Sequence, residues 1–262
     1  MQIVSLRFTK NITAKIILYF IIICSTFKSS LAYTNSSSNV VYFNEAKSIA
    51  LLKDSNLGDF VSLSQNFEAQ QSPTYCGIAT ALNILNAIFL PIDFKDGIEP
   101  NSKNTSGFVA KKYFQELLLN EQTDKIVKPR SVIEFREGND PGLSLTDMKN
   151  LFEFYKLKAN VFFSNEHSYK TFKNKLIEHL VSNDDTFIVV NFNRPELGFK
   201  KGGGHISPLF AYSAKNDMVL VGDVSASSNQ WFWVSSELLY KAMNTKDGQN
   251  YRGFIVVYKD KI

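Results

Sequence analysis

From Ala159 onward, short runs of β-branched and aromatic residues follow one another between turn residues. They are Ala159–Phe163, Thr186–Phe192, Ile206–Tyr212, Met218–Val221 and Gly253–Tyr258. Runs this short and this rich in Val, Ile, Phe and Tyr fit strands better than helices. Two helical stretches, Ser168–Val181 and Ser235–Met243, interrupt them. The preceding half has a different period. Gly77–Phe89 is apolar on most sides, as a buried central helix would be, and Pro91 is expected to end it. Val109–Leu119 forms a second predicted helix. Leu145–Leu157 forms a third, with Leu145, Met148, Leu151, Phe152 and Tyr155 at helical spacing and Ser144 or Thr146 near its cap. Ser168–Val181 is the fourth, with Phe172, Leu176, Ile177 and Leu180 on one face. Helices first and strands later predict an α+β fold, a helical layer packed on a mainly antiparallel sheet. Thr34–Asn39 and Asp96–Ser106 are polar and read as loops.

The N-terminus has the three parts of a secretory signal. Arg7, Lys10 and Lys15 are basic, Ile16–Cys24 is apolar, and Ser30-Leu31-Ala32 offers small residues for cleavage. The apolar stretch is shorter than the roughly 20 residues a membrane span needs; an uncleaved anchor is the alternative. The expected division is a signal peptide at 1–32 and one catalytic domain at 33–262, exported to a periplasm or secreted, with no membrane attachment after cleavage. Removing the leader's four bases, Arg7, Lys10, Lys15 and Lys28, leaves 25 basic residues against 25 acidic ones. The remaining chain therefore has no net basicity that would suit nucleic acid.

Cleavage would also remove Cys24 and leave Cys76 as the one thiol, which excludes an intramolecular disulfide. One Cys and three scattered His do not make a structural zinc site. Cys76 follows the turn Ser72-Pro73-Thr74 and precedes a small-residue run, so it sits where a helix begins. Unpaired N–H groups and the positive dipole end favour thiolate there. A buried inert thiol is the competing reading. A nucleophilic thiol needs a base and a group to orient that base. His167 and His179 read as surface residues of a helix. His205 instead follows Gly202-Gly203-Gly204 and opens an apolar strand. A hairpin through Lys215-Asn216-Asp217 would bring Asp223, at the end of the next strand, near His205. Taken alone, His205 also reads as a satisfied strand-end histidine and Asp223 as a turn residue. The order Cys…His…Asp, with the thiol on an early helix, is that of papain-like enzymes. Gln70, six residues before Cys76, has the type and distance of their oxyanion glutamine.

Several segments resemble the phytochelatin synthase family, papain-like enzymes acting on glutathione. Gln70–Asn86 is similar to its Gln-Ser-x-x-x-Tyr-Cys-Gly-x-Ala-Thr and following helix, and Gly204–Pro208 to its Gly-His-Phe-Ser-Pro. Val219–Val224, Ala242–Thr245 and Arg252–Phe254 resemble its Leu-Ile-Leu-Asp-Val, Ala-Met-Asp and Arg-Gly-Phe. The resemblance implies a triad of Cys76, His205 and Asp223, with Gln70 on the oxyanion. It also implies that Arg252 grips the α-carboxylate of a γ-glutamyl group, with Asn191 and the Gly204 backbone lining the substrate. An exposed strand-end arginine is the plain alternative for Arg252.

Three departures qualify it. The chain stops short of the cysteine-rich extension of plant members, as short bacterial members do, and those mostly hydrolyse glutathione. Ser225–Gln230 replaces a cation-rich loop, which bears on the second substrate. Ser72 stands where some members have an acid. The expected activity is release of glycine through a γ-glutamylcysteinyl thioester, with hydrolysis or transfer to phytochelatin. The expectation includes no bound metal or cofactor for hydrolysis; cadmium or zinc would enter as a glutathione thiolate complex. The oligomeric state is open, a homodimer included. An exported peptidase acting on ordinary peptides is the rival enzyme, and a thiol-binding or metal-chelating protein the non-enzymatic rival.

Overall fold

The computed structural model describes residues 39–96, 113–127, 142–182, 186–225 and 231–261. The expected leader, most of the Asp96–Ser106 loop and nearly all of Ser225–Gln230 lie outside them. The described part is α+β. Its main sheet has seven strands in the order β1-β6-β5-β4-β3-β9-β2, every neighbouring pair antiparallel. The strands are β1 (Val40–Tyr42), β2 (Leu157–Phe163), β3 (Thr186–Asn193), β4 (Gly204–Ser213), β5 (Met218–Val221), β6 (Phe232–Ser235) and β9 (Gly253–Lys261). A two-residue ladder of β7 (Lys246–Asp247) and β8 (Asn250–Tyr251) precedes β9.

All five expected strands are present. β1 and β6 were not expected: three or four residues are too few to establish an alternating pattern. The β4–β5 hairpin turns through Asp217, which takes a left-handed φ of 51°. Aspartate tolerates that conformation, and its carboxylate accepts from Tyr169, Tyr212 and Ser236 hydroxyls.

The helices are α1 (Ala46–Lys53), α2 (Phe60–Ser64), α3 (Cys76–Asp96), α4 (Gln115–Leu118), α5 (Thr123–Val127), α6 (Leu145–Phe154), α7 (Tyr169–Leu176) and α8 (Ser236–Met243). Pro91 does not end α3, which runs on to Asp96. A helical proline forfeits its own N–H bond, and the other bonds of a long helix hold across it. In the expected Val109–Leu119 helix only Gln115–Leu118 is helical among the described residues. Ser144 caps α6 in a reciprocal capping box with Asp147. α7 passes into a π-helical turn at Ile177–Val181.

Helices cover both faces of the sheet, where a single helical layer was expected. On one face Ile78, Leu82 and Leu85 of α3 pack with Val189, Ile206, Phe210, Trp233 and Ile255. On the other, Phe172 and Leu176 of α7 and Leu239 and Met243 of α8 pack with Val190, Phe192, Val219, Phe254 and Val256. The strands are therefore apolar on both sides, which makes them continuous apolar runs. His179 is also corrected: it is buried, with Nδ1 3.0 Å from the Thr186 hydroxyl. The π turn swings it inward from the helical face on which it reads as exposed. His167 is half-buried, its ring 5.1 Å from that of Phe162.

Candidate active site

Two hydrogen bonds fasten the thiol-bearing segment to β4 and to the stretch that follows β5. The Gln70 N–H donates to Val224 O at 2.7 Å, and the Thr80 hydroxyl, one turn into α3, donates to Ile206 O at 3.1 Å. The turn before α3 closes through Tyr75 N–H to Ser72 O at 3.0 Å. Gly77 is required by packing: a Cβ there would lie 3.0 Å from both Leu143 Cβ and Met148 Sδ. This leaves Cys76 half-buried at the first position of α3, beside the start of β4.

His205 is the second residue of β4, buried, with its ring edge-on to Phe192. Its Nε2 is 2.7 Å from Asp223 Oδ1, so Nδ1 is the nitrogen available to the sulfur. Burial alone would push the Cys76 thiol up. The hydrogen bond and charge of His205, with the Ile206 and Gly77 N–H groups, outweigh it and hold the thiol below its ordinary value. Burial would lower His205, but Asp223 and Cys76 raise it to about 9. Asp223 is lowered to about 2: His205, Arg194 and the Ser225 N–H overcome its desolvation. All three shifts favour an ionised thiolate–imidazolium–carboxylate row near neutrality.

Gln70 lies on the same loop. Its amide nitrogen donates to Ser72 O at 2.8 Å and Pro73 O at 3.0 Å, so the expected oxyanion donor braces its own turn in this structure. Its buried Oε1 has no partner among the described residues. The residues expected to line the substrate also cluster, but differently from the exposed-arginine alternative. Arg252 is buried and donates to Thr245 Oγ1 at 3.2 Å, Asp247 Oδ1 at 3.3 Å and the Lys246 carbonyl. Asn191 Nδ2 donates to the other oxygen of Asp247 at 2.8 Å. Gly204 lies against the guanidinium, since a Cβ there would be 2.5 Å from Nη2.

Two residues escaped the sequence reading. Asp247 joins Arg252 to Asn191 from the β7–β8 ladder, which is too short to leave a pattern. Arg194 opens a 3-10 turn after β3, and its Nη1 is 3.0 Å from Asp223 Oδ2 in a buried ion pair. The glycine run just after it is the one signal that pointed toward this connection. Among the described residues no group of three or more His, Cys, Asp or Glu could hold a metal ion. No helix among them is long and apolar enough to cross a membrane.

The sequence model described as phytochelatin synthase matches residues 31–254. The chain belongs to the phytochelatin synthase family. It is similar to glutathione gamma-glutamylcysteinyltransferase 3 of Lotus japonicus, 27% identical over 215 residues, which are 81% of this chain and 40% of the relative. Transferase 2 of Arabidopsis thaliana is 26% identical over 217 residues, 82% of this chain and 42% of the relative. The enzyme of that name from Schizosaccharomyces pombe is 22% identical over 233 residues, 88% of this chain and 49% of the relative. The chain thus spans less than half the length of these phytochelatin synthase relatives.

Proposed function

We propose that the chain is a cysteine-dependent glutathione γ-glutamylcysteinyltransferase with a papain-like catalytic arrangement. The observation that carries this reading is the row from Cys76 at the start of α3 through His205 to Asp223. Its charges favour a reactive thiolate, and it occurs in a chain of this family.

In the proposed reaction the Cys76 thiolate attacks the carbonyl that joins Cys to Gly in glutathione. The oxyanion takes N–H groups from the Cys76 backbone and from Gln70, whose amide would turn away from Pro73 O, the longer of its two bonds. His205 protonates the leaving glycine nitrogen as the C–N bond breaks. A γ-glutamylcysteinyl thioester remains on Cys76. His205 then takes a proton from water, giving γ-glutamylcysteine, or from the α-amino group of a second glutathione, giving phytochelatin; either step returns the thiolate. Asp223 fixes the tautomer and steadies the imidazolium.

The γ-glutamyl end is a zwitterion, and the cluster beside Gly204 carries both complementary charges. Arg252 suits its α-carboxylate, since a guanidinium can hold a carboxylate by two parallel hydrogen bonds. Asp247 suits its α-ammonium, and Asn191 holds Asp247 in place. The expected export leader at 1–32 belongs to the same proposal, and N-terminal sequencing of the exported protein would test it.

Mass spectrometry of the protein with glutathione tests the reaction. A thioester adduct on Cys76, free glycine, and loss of both in Cys76→Ala are expected. Near-normal glycine release from Cys76→Ala would overturn the reading. Cleavage of casein with no attack on glutathione would favour the peptidase instead.

A further inference from the structure

Orienting an imidazole takes only a hydrogen-bond acceptor, which a neutral side chain can supply. A buried carboxylate does more, since its full charge also stabilises the imidazolium. In a reaction that needs His205 to hand its proton to a leaving amine, too stable an imidazolium is a poor donor. In this protein a second buried cation meets the same carboxylate. Asp223 Oδ1 accepts from His205 Nε2 at 2.7 Å and the Ser225 N–H at 2.8 Å. Asp223 Oδ2 accepts from Arg194 Nη1 at 3.0 Å.

The fold holds Arg194 in this position from several sides. Its guanidinium lies 4.3 Å from the centre of the Phe199 ring. Its main-chain N–H donates to Gly203 O at 2.9 Å, and its carbonyl accepts from Phe199 N–H at 3.3 Å. Gly202, at φ +98°, leaves room for the side chain: a Cβ there would come within 2.9 Å of Arg194 Cδ.

We propose that Arg194 is a positioning residue that neutralises Asp223, so that His205 is oriented by a nearly neutral pair and releases its proton to the leaving group. The proposal rests on the catalytic reading above. Among the described residues, the other charged groups around His205 are Cys76 on α3 and, beside Gly204, the pair Arg252 and Asp247. None of these touches the far oxygen of Asp223.

Arg194→Gln separates charge from position, because the amide can still donate to Asp223 without a cation. The test uses the full chain, with NMR titration of the His205 imidazole and the pH dependence of glycine release. In Arg194→Gln the His205 midpoint should rise by about one pH unit. The rate limit at high pH should move with it, and kcat should fall about tenfold with KM little changed. Arg194→Lys should restore the wild-type midpoint. A midpoint that stays or falls in Arg194→Gln, or that moves equally in Arg194→Lys, overturns the proposal. If the Gln variant does not fold, Phe199→Leu loosens the guanidinium without touching Asp223. It should raise the midpoint by a smaller step, and no movement would count against the link. Loss of the catalytic reading would look different: glycine release would be absent or would survive Cys76→Ala, while the imidazole titration would still answer for Arg194.

Discussion

Cys76 and His205 divide the pH axis between them. In the proposed mechanism, turnover requires the thiolate and the imidazolium together. Activity should therefore rise as Cys76 loses its proton, below the range of an ordinary thiol, and fall as pH climbs through about 9, where His205 gives up its own. A kcat/KM profile measures both limbs, and a rate still climbing beyond pH 10 would contradict the pairing. Gln70 is the harder residue, because its amide N–H groups already serve Ser72 and Pro73 carbonyls. As an oxyanion donor its removal costs on the order of 3 kcal/mol. Gln70→Ala should thus keep about a hundredth of kcat, while a pure turn brace would lower the melting temperature and leave kcat alone. Cys76, His205 and Asp223 were legible because chain order and the β4–β5 hairpin follow from local pattern. Arg194 and Asp247 were not: the Arg194–Asp223 bridge joins segments far apart in sequence, and the β7–β8 ladder that carries Asp247 is too short to leave a period. Gly202 and Gly204 make room for the protein's own Arg194 and Arg252.

At the level of elements, the long strands were visible because each is apolar along its length. Their coverage on both faces was hidden for the same reason: an unbroken apolar run does not say how many layers bury it. Short pieces such as β1, β6 and the π turn owe their form to neighbours. Gly253 shows how tightly those neighbours fit. It opens β9 against β2, and an added Cβ would lie 2.0 Å from the Phe162 carbonyl oxygen, a backbone atom that cannot move aside. Gly253→Ala should cost about 1–3 kcal/mol or more. A chain of this size then melts roughly 2–10 °C lower. Gly248→Ala is the control: its Cβ would meet nothing within 4 Å, though its φ of +63° carries the left-handed penalty, about 1 kcal/mol. Thermal melts of the two, compared side by side, check the steric argument; equal shifts would refute it.

For the whole molecule, acid should act on the site before the core. Asp223 is more acidic folded than unfolded, so the stability it lends is present above about pH 4 and is lost as pH falls towards about 2. Asp223→Asn should flatten that part of a pH–stability curve, measured by urea unfolding. Metal dependence also belongs to this scale. If cadmium enters as a glutathione complex serving as acyl acceptor, it should raise phytochelatin formation weakly and leave glycine release by hydrolysis unchanged. Following both products against cadmium at fixed free glutathione checks this, and strong activation of hydrolysis would contradict it. The strand order has a further effect, on the timing of assembly. β9 is inserted between β3 and β2 yet is translated after both, and Arg252 immediately precedes it. A ribosome adding about 5–20 residues per second makes Cys76 roughly 10 seconds or more before Arg252. From its own synthesis until β9 emerges, β2 has no strand to pair with, and the proposed γ-glutamyl grip is incomplete. The nascent chain thus carries its thiol through synthesis without a site in which to use it.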